Sequence, residues 1–224
     1  MQSYAHHLVS SLSSKHLLKH PFYTAWNEGR LSKKTLQTYA KQYAYHVRAF
    51  PRYLSSTHSN CENLLHRQVL LENLIEEERG PENHPELWNQ FAESLGCSRP
   101  EIQEEIPMAA TDNLVDTFMG LSQSSYAEGL GALFAYEHQV PEIAKSKLEG
   151  LEKFYGITKG TKFFDVHLKA DVYHTQEVAQ LIDELSEEDQ AKVYSAAQKA
   201  ASAMWKFLDQ MCEFEGIPLQ TCSE

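Results

Sequence analysis

Apolar residues recur at steps of three and four almost from one end of the chain to the other, and no segment alternates with a period of two. That pattern admits helices packed on helices and leaves nothing to build a sheet from. Leu36, Tyr39, Ala40, Tyr43, Val47, Phe50 and Leu54 make one such stripe, with Ser32 placed before it as an N-cap. Pro51 falls inside the stripe and is expected to kink that helix and free the carbonyl of Val47. A second helix reads over 62–79, stopped by Gly80-Pro81, and a third over 86–95, with Pro85 in its first turn and Gly96 closing it. Pro100 and Pro107 mark a loop-rich stretch. Further helices are expected near 112–121, over 125–155 with an interruption at Pro141, over 161–185 and over 187–215. The last buries Val193, Ala197, Ala200, Met204, Phe207 and Met211 on one side. No linker or repeat divides the series. Residues 1–224 are therefore expected to form one all-α bundle of about seven helices with a short flexible C-terminal tail.

Composition acts mainly by exclusion. A net charge of -11 argues against a surface that coats nucleic acid, which needs clustered Lys and Arg. The apolar runs are too short to cross a bilayer, and the N-terminal stretch lacks the compact apolar segment of a secretory signal. A cytoplasmic protein with no membrane partner is expected, export by a non-standard route being left open. Cys61, Cys97, Cys212 and Cys222 form no metal-binding spacing and are expected to stay reduced.

Chemistry concentrates in three segments. In HLKADVYH, His167, Asp171 and His174 fall within an arc of about 60° on one helix face, shared with Phe163, Val178 and Leu181. Inward-facing ionisable groups are costly unless paired or bound to a cation. The alternative is a pair of core histidines with Asp171 as their acceptor. Glu137 lies on the stripe of Leu130, Leu133, Val140, Ala144, Leu148 and Leu151, and Pro141 leaves its carbonyl without a donor. The segment ENLIEEERGPENHPELW offers Glu77 and His84, although periodicity does not choose among Glu76, Glu77 and Glu78. Three carboxylates and three imidazoles suit a dinuclear iron or manganese site in a helical bundle and suit structural zinc poorly.

The segments HPFYTAWNEG, AFPRYLSSTHS, EEERGPENHPELW, AYEHQVPEIA and HLKADVYH together resemble the CADD-type (death-domain-associating) branch of the haem-oxygenase-like diiron oxidases, related to TenA and PqqC proteins. The resemblance spans nearly the whole chain. It implies that Glu77, His84, Glu137, His167, Asp171 and His174 hold two metal ions, Fe/Fe or Mn/Fe, with dioxygen as oxidant and Glu137 as a bridge. It further implies formation of para-aminobenzoate for folate synthesis in a single turnover. The ring would come from the protein's own Tyr23, in HPFY, and the amino group from Lys147, in PEIAKSK. Tyr39 and Tyr43, on an inward stripe, are candidates for radical relays, reserve substrates or plain core, and Tyr136 is a candidate neighbour of Glu137. Lys145 and Lys147 flank the stripe of Glu137 on opposite sides, and only the resemblance selects Lys147. His138 is rotated about 100° from Glu137 and is expected outside the ligand set. Trp88 is expected to pack beside the site.

Two other readings stand beside this one. The first is a multiple-turnover diiron oxidase acting on an external small molecule. The second is a protein that binds host death domains and acts in apoptosis, delivered into a host cell. The electron donor stays unidentified, and a homodimer is left open.

Overall fold

A computed structural model describes residues 3–219, and within them all side chains except those of 169–172. Eleven α-helices follow one another among the described residues: α1 Tyr4–Leu12, α2 Pro21–Asn27, α3 Lys33–Ser59, α4 Leu64–Glu78, α5 His84–Ser94, α6 Arg99–Glu104, α7 Ala109–Ser124, α8 Tyr126–Glu137, α9 Val140–Tyr155, α10 Lys162–Asp183 and α11 Glu187–Glu215. The all-α expectation holds, and the count exceeds the expected seven for local reasons. Pro100 does not mark a loop. It occupies the first turn of α6, where its missing N–H costs nothing, and Ser98 and Glu101 close a reciprocal capping box around it. Pro21 likewise opens α2, with the ring of His20 accepting from the N–H of Phe22. The segment expected as one interrupted helix divides into α8 and α9 at His138-Gln139. The proline inside α3 does not end it, for the helix continues through Pro51 to Ser59.

α8 is the helix that positions the rest. Every residue from Gly129 to Glu137 is buried, which a surface helix with one apolar stripe never shows. It lies closest against α11, and Gly131 makes that approach feasible. A Cβ there would stand 2.5 Å from the carbonyl oxygen of Val193. On its other sides α8 meets α3, α7 and α10, while α10 also contacts α4, α5 and α9. The C-terminal half of α4, the start of α5, the end of α8 and the middle of α10 thus converge.

Cys61, Cys97 and Cys212 are buried free thiols, as expected. Cys222 and the expected tail at 220–224 lie outside the described residues. Among the described residues no helix is long and apolar enough to cross a membrane.

Candidate metal centre

The inward face of α4 is mostly polar, its buried residues being Leu70, Asn73 and Glu77. Steps of three and four residues place these in line. Burial makes the choice that periodicity left open: Glu77 is buried, whereas Glu76 and Glu78 face solvent. After α4 the chain turns at Gly80, whose φ of +84° suits glycine. Asn83 then caps α5, so that His84 enters the interior as its first residue. Nδ1 of His84 stands 2.8 Å from Oε2 of Glu77. Even so, its geometry makes no hydrogen bond. Two donor atoms that are close but not aimed at each other are what ligands sharing one ion look like.

α10 brings His167 to the same place. Its Nδ1 bonds the carbonyl of Phe163 one turn earlier, which leaves Nε2 as the ligating nitrogen. The rings of His84 and His167 lie 4.4 Å apart. One donor atom from each of Glu77, His84 and His167 falls within 4.8 Å of the other two, and all three residues are buried. Burial holds the His167 imidazole well below the usual histidine range, favouring the neutral form that binds metals. Burial also pulls His84 down, but Glu77 beside it more than offsets this and the net direction is up.

Glu137 ends α8 beside this trio. Its Oε1 accepts a 2.7 Å bond from Nδ2 of Asn73, and its Oε2 is buried with no partner. Burial pushes its carboxyl up to about 7, against the pull of Asn73 and His174. His174 is buried with Nε2 2.9 Å from Oε2 of Glu76, while its Nδ1 has no hydrogen bond. The side chain of Asp171 lies outside the described residues.

An orphaned buried polar atom costs about 1–3 kcal/mol. Here Glu137 Oε2 and His174 Nδ1 are buried without a hydrogen bond in the same region, and His84 Nδ1 has only the Glu77 carboxylate beside it. Bound cations would lift such penalties, and a donor set of carboxylate oxygen and imidazole nitrogen without thiolate suits iron or manganese. The residues present fit a metal. From the sequence, Glu76 stands only as an alternative to Glu77, and neither Asn73 nor Glu177 is singled out, the last with a buried and unpartnered Oε2 of its own. Glu177 was legible as a helix-face neighbour, three residues after His174.

A second cluster adjoins the first. Tyr23, Tyr43, Tyr136, Lys147 and His167 share the wall of a cavity of about 20 Å³ for the centre of a water-sized sphere, which is room for one water. Lys147 is buried, unlike Lys145, and its Nζ lies 2.7 Å from Oη of Tyr39. That oxygen in turn stands 3.1 Å from Oη of Tyr23. Tyr43 donates to Oη of Tyr136 at 2.9 Å. Burial pushes the phenols of Tyr23, Tyr39 and Tyr43 upward, so all three hold their protons. His138 takes no part, its Nδ1 bonding the carbonyl of Phe134. Trp88 packs 4.8 Å from Phe163 and donates to the carbonyl of Ala40.

Burial lowers Lys147 to about 7, although aromatic faces such as that of Tyr39 at 5.0 Å favour its charged form. Between that value and the ordinary lysine value near 10.4 the unfolded chain binds the extra proton, so folding stability contributed by this residue rises with pH. In metal-free protein, wild type should gain about 4 kcal/mol relative to Lys147→Met between pH 7 and 10.5. Denaturant melts of the two at both pH values measure this, and parallel curves would refute it.

The chain is similar to proteins already known. A family profile described as iron-containing redox enzyme matches residues 37–205. The 4-aminobenzoate synthase of Chlamydia muridarum is 42% identical over 209 residues, covering 92% of this chain and 89% of the relative. A protein of the same name from Nitrosomonas europaea is 43% identical over 219 residues, covering 91% and 89%. Among solved structures, a domain with a haem-oxygenase-like fold from Shewanella denitrificans superposes with a TM-score of 0.80 at 18% identity, covering 95% of this chain and 91% of that one.

Proposed function

The chain belongs to the family of iron-containing redox enzymes, and from that premise we propose that it forms 4-aminobenzoate, consuming its own Tyr23 and Lys147 in an oxygen-dependent single turnover. Two ions, Fe/Fe or Mn/Fe, would be held by Glu77, His84, Glu137, His167, Asp171 and His174. The observation that carries this reading is the unbroken line Lys147 Nζ–Tyr39 Oη–Tyr23 Oη, at 2.7 and 3.1 Å, beside a cavity that His167 also lines. That cavity has room for one water, so an external aromatic acid does not enter without displacing side chains. The aromatic ring already in place is the chain's own.

Atom counting supports the same choice. A tyrosine side chain, Cβ and six ring carbons, matches the seven carbons of 4-aminobenzoate with its para relation intact. The Cα–Cβ bond of Tyr23 would break as Cβ is oxidised to the carboxyl carbon at the expense of dioxygen. Nζ of Lys147 would bond to the para carbon as the phenol oxygen leaves as water, and the Cε–Nζ bond would then break to free the amine. Bound at the site, the metal pair would supply the oxidising power of dioxygen.

The chain's residues handle the protons. Tyr23 holds its proton and surrenders it when the ring is oxidised. Tyr39 accepts that proton at Oη while passing its own to Lys147. Burial keeps part of the Lys147 population neutral near pH 7, so its amine can take this proton, and it acts as a nucleophile only after giving the proton up again. The aromatic packing around Tyr23 excludes bulk water, with Phe22 at 5.7 Å and Trp26 at 6.4 Å.

Protein made on ring-labelled tyrosine, purified without air, loaded with iron and then exposed to dioxygen should release labelled 4-aminobenzoate, no more than one per chain. Its intact mass should fall in step. Unlabelled product, or repeated turnover with unchanged mass, would refute self-consumption and favour an external substrate.

A further inference from the structure

We propose that Glu177 is an additional carboxylate ligand of the metal centre, delivering Oε2 beside Nδ1 of His174. This rests on the metal-centre reading above. Glu177 follows His174 by three residues on α10, so the two side chains share a face. Their inner atoms lie 3.6 Å apart. That separation is too long for a hydrogen bond, and both atoms are buried with no hydrogen-bond partner. Donor atoms bonded at about 2.1 Å to one ion are separated by about 3 Å at right angles and about 4 Å when opposed. The observed spacing falls between these.

The orientation of His174 has an outer and an inner edge. Nε2 is anchored on Glu76, whose side chain is 52% exposed, so that edge faces outward. Nδ1 faces the interior, where Glu137 lies within electrostatic reach of both His174 and Glu177. On the solvent side, the Glu177 carboxylate pushes the phenol of exposed Tyr173 upward. Glu177 thus adds a further anionic oxygen to a region that already holds Glu77 and Glu137. Like charges gathered in low dielectric are unfavourable without a cation between them. An extra hard oxygen ligand also favours a hard ion and its higher oxidation state.

The test titrates the full-length metal-free chain with Mn(II), reading free ion by electron paramagnetic resonance and bound ion by elemental analysis. Glu177→Gln should weaken at least one binding step by about tenfold or more, or remove one ion per chain. Gln still offers an acceptor to His174 Nδ1, so a purely orienting role would leave the isotherm on that of wild type, which would overturn the proposal. Glu177→Asp keeps the charge but withdraws it by one methylene and should bind with intermediate affinity. Should Glu177→Gln fail to fold by circular dichroism, this variant decides, wild-type affinity being the refuting result. His167→Ala separates the two levels. If it binds Mn(II) as wild type does, or wild type binds none, the metal-centre reading itself falls and the proposal with it.

Discussion

Tyr23→Phe is expected to retain its metal ions and fold yet release no 4-aminobenzoate. The substitution deletes one oxygen, and the cost to stability is about 1 kcal/mol for a lost buried hydrogen bond. Tyr39 keeps its bond to Lys147 Nζ at 2.7 Å, and no candidate metal ligand is touched. The chemical effect is out of proportion to this. Phenylalanine has no phenolic proton to give and a much higher oxidation potential, so a drop below detection, about a thousandfold or more, is expected for a barrier raised by over 4 kcal/mol. Product mass spectrometry and metal analysis on the same sample check both halves. Normal product from Tyr23→Phe would move the consumed ring to another of the eleven tyrosines.

The second large effect is on metal binding. His167→Ala should lose iron by about a hundredfold or more in affinity, because removing a direct ligand exceeds the tenfold to hundredfold cost of disturbing a supporting residue. It leaves Glu77 and His84, 2.8 Å apart, without the third donor. His138→Ala is the matched control. That imidazole is also on the site's side of the sequence, yet it stacks on Phe134 at 5.4 Å and serves the backbone. Iron content after anaerobic loading and dialysis should be unchanged by His138→Ala and nearly abolished by His167→Ala. Equal retention in both would sink the assignment.

Helical periodicity carries much of this site. The inward face of α10 is legible because His167 and His174 recur on an apolar stripe, and both are buried as that stripe requires. The kinked position of Glu137 is legible from Pro141, which sits just inside α9 rather than within one long helix. What is not legible depends on tertiary packing. Glu76, Glu77 and Glu78 are chemically alike, and only the contact of α4 with α10 and α5 decides which is buried. Lys147 lies at the margin of its helix stripe, so nothing local predicts that it turns into the aromatic cluster. Asn73 escaped notice because a polar residue on a weakly amphipathic helix carries no signal until its acceptor, Glu137, is seen across the bundle. The short helix α6 was hidden for the opposite reason, two prolines being read as breakers where one is an initiator.

The tight seating of Tyr23 has a consequence for the protein's lifetime. Its ring is 2% exposed and wedged among Phe22, Trp26 and Tyr39. A chain that surrenders this side chain is left with a hollow at its centre. Deleting a buried aromatic of that size costs on the order of 3–5 kcal/mol, a large share of what holds an ordinary domain folded. Each molecule would therefore emerge from its reaction weakened and more open to proteolysis, so that the same packing which shelters the reactive ring also sets an expiry on the scaffold.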